Sequence, residues 1–303
     1  GMTPGNLYRI SRALATACLA AIAGAAHAQD FEDRLPRLDF PEVPSIASPP
    51  PAASTATTGL GHITLSAQLV ASGPEVTRGL IWRVFDTEPG PDGKLRLVAS
   101  AKGGTQSFDL APGQYLVHAS YGRAGATKRI SVSSATKREE FVLDAGGLTL
   151  NAENSGGSPI PDGKLRFSIY EGEAAEGADR ALILPDVRPK SVVRLNAGTY
   201  HVVSTYGNVN AVIRSDIKVE AGKLTEATVE HQAAELTMKL VREAGGEAIA
   251  DTAWSVLTSA GDPVRESVGA YATMVLAAGD YTIVAKNRDH IYQRDFTVVA
   301  GEN

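Results

Sequence analysis

The chain is poor in the residues that usually announce chemistry. Its one cysteine, Cys18, falls inside a stretch that looks like a cleaved leader, so neither a disulfide framework nor thiol catalysis is expected of the rest. Cations are not in excess: 29 Lys and Arg face 34 Asp and Glu. Without a basic footprint for phosphates, nucleic acid is not an expected partner. His62, His118, His201, His231 and His290 are scattered and lack the paired spacing of a zinc site, so they are expected on outward faces as ordinary polar residues. No Gly-x-Ser-x-Gly elbow occurs, no glycine-rich loop joins a strand to a helix, and no long stretch has helical spacing. No cofactor, metal or catalytic residue can be nominated.

What is present begins with an export signal. Gly1 precedes Met2 and has the look of an expression scar. Arg9 and Arg12 lead into "ALATACLAAIAGAA" and then "AHAQD", the charged, apolar and small-residue regions of a secretory leader with cleavage expected after Ala28. The apolar run is shorter than the roughly 20 residues of a membrane span, so the mature chain is expected to be exported, to a bacterial periplasm or the exterior, with no transmembrane segment. Without the leader the balance is 27 basic to 34 acidic residues. Residues 29–60 hold six prolines and end in Pro, Ala, Ser and Thr, which predicts an exposed, disordered spacer.

From residue 61 the pattern becomes short alternating segments broken by Gly, Asp and Pro, as half-buried strands with tight turns require. The hexapeptide "PDGKLR" occurs at 91–96 and at 161–166, but an offset of 85 residues matches far more. It aligns Ile63 with Leu148, Leu80 with Leu165, and Trp82 with Phe167. It also superposes Leu110, Gly113, Tyr115 and Tyr121 of "LAPGQYLVHASYG" on Leu195, Gly198, Tyr200 and Tyr206 of "LNAGTYHVVSTYG". A third copy follows with Trp254 in "WSVL" and with Leu276, Gly279 and Tyr281 in "LAAGDYTIVAKNR". The duplicated hexapeptide therefore reads as one turn chemistry used at two different hairpins. The expected division is leader 1–28, spacer 29–60, and repeats at 61–146, 147–233 and 234–303.

Alternation puts Tyr115, Val117, Ala119 and Tyr121 on one strand face, and only this face recurs faithfully: Tyr200, Val202, Ser204, Tyr206, then Tyr281, Ile283, Ala285, Asn287. It is expected to face the core. The glycine two residues before each tyrosine fits a left-handed or crowded backbone, and the tyrosine can bury its ring while its hydroxyl caps nearby backbone. Trp82, Phe167 and Trp254 are expected to plug the cores, each burying roughly 150 to 250 Å². The competing use, an exposed stacking platform for sugars, would make the chain a glycan binder.

The "L-x-x-G-x-Y-x-V" run resembles the prealbumin-like repeats of exported bacterial envelope proteins, such as carboxypeptidase regulatory-like domains, over residues 61–303. The resemblance implies an all-β chain of three tandem seven-stranded sandwiches that act as accessory, adhesive or spacer modules on another envelope or extracellular protein, with no catalytic role. Immunoglobulin-like topology is the rival. A hydrolase site formed between modules is a further alternative. In "FDTEPGPDG", Asp86, Glu88 and Asp92 offer oxygens to a cation but lack a calcium-loop pattern, and Asp92 is expected to shape its turn. The first two units end in two consecutive strands, whereas the third has "DFTVVAGEN" alone. It is therefore expected to lack its last strand, leaving the edge to a continuation of the chain or to another segment.

Overall fold

The computed structural model describes residues 59–303 apart from 175, 176 and 178, together with the backbone of 22 and 23. Otherwise the expected leader and spacer lie outside the described residues. A two-residue strand, β1 (Ile22–Ala23), runs antiparallel to a strand of the second unit. Everything else is all-β, with sandwiches in tandem. Among the described residues no helix is long and apolar enough to cross a membrane.

The first unit comprises β2 (Gly61–Gln68), β3 (Leu80–Pro89), β4 (Leu95–Gly103), β5 (Gln106–Leu110), β6 (Gly113–Tyr121), β7 (Ala124–Val132) and β8 (Lys137–Val142). One sheet has the order β5-β2-β8 and the other β4-β3-β6-β7. The second unit comprises β9 (Ala145–Asn154), the short β10 (Ser158–Pro159), β11 (Leu165–Glu171), β12 (Leu182–Val187), β13 (Val192–Asn196), β14 (Gly198–Tyr206), β15 (Ala211–Val219) and β16 (Leu224–His231). Its sheets repeat the plan: β9 lies between β13 and β16, facing β12-β11-β14-β15. The third has β17 (Ala233–Lys239), β18 (Ala253–Thr258), β19 (Pro263–Val268), β20 (Tyr271–Ala277), β21 (Gly279–Asn287) and β22 (His290–Val298). Its sheets are β17-β20 and β19-β18-β21-β22.

In the first two units the first and last strands pair in parallel, β2 with β8 and β9 with β16, although the rest of the unit intervenes. If the seven strands are lettered in chain order, the sheets read D-A-G and C-B-E-F. An immunoglobulin domain instead joins A-B-E-D and C-F-G. The second strand here pairs with the third and fifth and never with the first, so of the two expected topologies the immunoglobulin one is excluded.

Alternation drives the packing. Along β6 the buried residues are Tyr115, Val117, Ala119 and Tyr121, the face that recurs in sequence. Three hydrophobic clusters result, built around Trp82, Phe167 and Trp254 respectively. Val275 of the third unit packs into the second cluster, so adjoining units share apolar surface.

The two hexapeptide copies differ more than the sequence suggests. The first forms the β3–β4 hairpin, with Gly93 at φ 76. The second is a single 3-10 turn, Asp162–Lys164, that carries the chain from β10 to β11 in the opposite sheet. One copy thus follows the aromatic strand and the other precedes its equivalent. The expectation of two hairpins is corrected: Pro161 opens a crossover, and Gly163 has no positive φ there.

Candidate interaction site

The repeated residues hold the sandwiches together. Trp82 is 0% exposed, Phe167 1% and Trp254 4%. Each indole N–H has a carbonyl, Trp82 Nε1 donating to Gly104 O (2.8 Å) and Trp254 Nε1 to Gly269 O (3.0 Å). None of the three rings offers a sugar a stacking face.

The tyrosines repeat one bond to the tenth of an ångström. Tyr115 Oη donates to Ala111 O, Tyr200 Oη to Asn196 O and Tyr281 Oη to Ala277 O, each at 2.6 Å and four residues back. Between donor and acceptor lie Gly113, Gly198 and Gly279, with φ of 157°, 156° and 156°. A Cβ there would meet little: nothing within 4 Å at the first two, and only its own unit's Tyr281 ring at the third. Backbone angle rather than crowding requires glycine at these turns. Tyr200→Phe is expected to lower stability by about 1 kcal/mol, measured by urea denaturation, since only the hydroxyl is removed. Tyr121 and Tyr206 close the far end of the same face and are buried. In the third unit Asn287 takes that position and donates through Nδ2 to Ala250 O (2.9 Å).

The outward-face expectation fails at His231 and also at His290, which lies on the core-facing side of β22, opposite Asn287, although it is exposed. His118 Nδ1 is hydrogen-bonded to Thr127 Oγ1 (2.7 Å), and His201 Nδ1 to Asp216 Oδ1 (2.9 Å), on outer faces. His231 is instead inside the second core, 1% exposed. Its Nε2 is 2.8 Å from Ser204 Oγ and its ring stands edge-on to Tyr206. Burial pushes its pKa down to about 4. Ser204 occupies the place of Ala119 in the first unit, so the hydroxyl and the imidazole satisfy each other where the first unit is apolar. No local spacing marks such a pair, because its members are 27 residues apart.

The acidic loop is held by its own chain. Asp86 Oδ2 accepts from Arg96 Nε (2.8 Å), and Asp92 Oδ1 accepts the Lys94 backbone N–H (3.0 Å). Among the described residues no cluster of three His, Cys, Asp or Glu is arranged to hold a metal. An open cleft of about 500 Å³ lies where the first two units meet, lined in part by Arg123, Glu171, Leu182, Asn196 and Tyr200.

Two seams join the units, with matching geometry. At the first, the β6–β7 turn meets the end of β13. Arg123 N donates to Arg194 O (3.0 Å), the Arg194 guanidinium stacks 4.2 Å from the Tyr121 ring centre, and the Asn196 side chain exchanges hydrogen bonds with Gly125 N and O. At the second, the β14–β15 turn meets the end of β20. Asn210 Oδ1 accepts from Ala277 N (2.9 Å) and its Nδ2 donates to Tyr281 Oη (2.9 Å). Asn210 occupies the repeat position of Gly125, and Ala277 that of Asn196. The asparagine has changed sides while the contact is kept. Nothing in the local sequence marks either asparagine as a contact between units, because their partners are 71 and 67 residues away.

The third unit differs at one edge. β17 pairs with β20 on one side, and on the other it has no strand among the described residues. The large exposed apolar side chains of this unit, Val268, Tyr271, Ile291 and Tyr292, lie on β19, β20 and the outer strand β22.

A family model described as the Rhizobiales growth-associated tandem repeat domain matches residues 235–303, the third unit. No curated protein matches the chain. Among solved structures, the Bacillus anthracis TIE protein is 18% identical over 81% of this chain, with a TM-score of 0.24, and the chain spans about half of that protein (49%). A streptococcal ancillary pilin is 10% identical over 80% of this chain and 96% of its own, with a TM-score of 0.29. The shaft pilin SpaA of Lactobacillus rhamnosus GG is 12% identical over 57% of this chain and 98% of its own, with a TM-score of 0.27.

Proposed function

We propose that the chain is an exported, non-enzymatic structural protein whose β-sandwich modules are locked end to end and engage another envelope or extracellular protein through loops and strand edges. The observation that carries this reading is the pair of matching seams. A chain that only tethered separate domains would have no use for the same turn-to-strand contact twice, with an asparagine supplied from opposite sides. With the immunoglobulin order excluded, the prealbumin-like arrangement is the one this reading retains. Burial of Trp82, Phe167 and Trp254 speaks against a glycan-binding role for those rings.

Each seam asparagine makes side-chain bonds to the neighbouring unit worth about 1 kcal/mol each. The Asn196→Ala, Asn210→Ala double variant is therefore expected to keep the thermal stability of its cores to within a few degrees while its small-angle scattering shows a broader spread of long interatomic distances. An unchanged distance distribution would sink the locked-module reading. Export is tested separately: protein recovered outside the cytoplasm should begin at Gln29. Turnover of any substrate that survives repurification and vanishes with one polar substitution would replace the structural role with an enzymatic one.

A further inference from the structure

The four-stranded sheets of the first and third units turn faces of opposite charge to solvent. Partners across an antiparallel pair share a face. In the first unit Lys102 lies opposite Ile81, Arg83 opposite His118, and Arg129 opposite Leu116, all turned away from the core. No carboxylate lies in the rows that pair with Ile81, Arg83 and Phe85. Among the described residues none of the three cations makes an ion pair. Arg83 Nη1 is 3.4 Å from Ser120 Oγ, a neutral partner. Burial, and then the Arg83 guanidinium, hold His118 below its ordinary pKa. The cations frame an apolar strip, because Phe85 sits between Leu116 and Leu97, and Leu97 is 39% exposed.

The same face of the third unit is acidic. Arg129 is opposite the residue that follows the repeated tyrosine, and Asp295 takes that place, opposite Thr282. Ser100, opposite Arg83, becomes Glu266, opposite Ser255. Gln114, just before the tyrosine, becomes Asp280. Thr282 Oγ1 donates to Asp295 Oδ1 (2.8 Å) and Thr297 Oγ1 to Asp280 Oδ1 (2.6 Å), so both carboxylates are held on the sheet. Among the described residues these three acids also make no ion pair. One cation, Lys286, shares the face, and the half-buried Leu257 and Val284 lie at its centre. The unit sequences differ in the same sense: residues 61–146 hold ten basic and eight acidic side chains, residues 234–303 six and ten.

We propose that the outer sheet of the first unit docks against the outer sheet of the third unit of a second copy of this chain. Charge complementarity selects this occupant, since unpaired cations on one face match unpaired carboxylates on the other around an apolar middle in each. The charges steer and orient the encounter, and the apolar strips supply the contact. Two different faces meet, so the contact either closes reciprocally into a pair or runs on from copy to copy. It uses sheet faces rather than loops or edges and so goes beyond the partner binding proposed above.

Sedimentation velocity of the full chain over a concentration series tests this. At about 50 mM salt the average mass should rise above that of the monomer with concentration, and at about 500 mM, where charges are screened within a few ångströms, the rise should shrink. Lys102→Glu with Arg129→Glu, and separately Glu266→Lys with Asp295→Lys, should each weaken self-association about tenfold or more, about 1.4 kcal/mol. All four side chains are exposed, so the melting temperatures should hold. The two variants mixed in equal amounts should associate, because one keeps the native acidic face and the other the native basic face. The chain carrying all four changes should again self-associate. A monomer at every concentration up to about 1 mM in low salt, self-association that either variant keeps, or variants that stay apart when mixed overturns the inference. So does a monomeric chain that binds vesicles of anionic phospholipid and loses them with Lys102→Glu and Arg129→Glu, since the basic face then serves a membrane. A monomer with stiff seams, exported from Gln29, sinks this inference alone and leaves the proposed function standing.

Discussion

Trp82→Ala is expected to destabilise the first unit by about 3 to 5 kcal/mol, the range for truncating a buried aromatic. The indole is 0% exposed, meets the Phe141 ring edge-on at 5.1 Å, and satisfies Gly104 O through its Nε1–H. Alanine would leave a void under β2 and β8 and orphan that carbonyl, and the neighbouring rings cannot collapse into the space without moving the strands that carry them. Because domains of this size are stable by about 5–15 kcal/mol, calorimetry should show one transition shifted far down while those of the other units stay near their original temperatures. A variant that melted like the parent would place the ring outside the core.

The second large effect is a pH dependence centred on His231. Its pKa falls from 6.5 in the unfolded chain to about 4 in the fold, so between these values the unfolded state binds the extra proton. The stabilisation is fully present above pH 6.5 and declines as pH falls toward 4, by about 3 kcal/mol at about 1.36 kcal/mol per pH unit. His231→Leu alone should remove the dependence yet leave Ser204 Oγ buried without its partner. That costs about 1–3 kcal/mol at neutral pH. Adding Ser204→Ala recreates the Ala119 and Leu143 arrangement of the first unit and should recover stability at pH 7 while keeping the curve flat. Urea midpoints at pH 7.5 and pH 5 for the parent and both variants check this. A parent whose second unit is equally stable at both pH values would contradict the burial argument.

These two residues mark what sequence can and cannot reveal here. The Trp82 assignment rests on alternation and on recurrence at a fixed offset, which are local properties carried by each strand. The same signals expose the inward face of β6, β14 and β21. His231 escapes them because its environment is set by Ser204 on another strand of the opposite sheet. Strand order is equally hidden, since β8 alternates in the same way whether it pairs with β2 or another strand, and in parallel or antiparallel. The second hexapeptide misleads for a related reason: Asp-Gly favours a turn but does not say which elements the turn joins. Asn196 and Asn210 become meaningful only when one unit's turn is placed against the next unit's strand end.

The parallel pairing of first and last strands also governs how these modules respond to being pulled. In the first unit six residue pairs join β2 to β8, and in the second eight join β9 to β16. Tension between the start of one strand and the end of the other slides them past each other, loading all the rungs at once in shear instead of peeling them one by one. The third unit has no such clamp among its described strands.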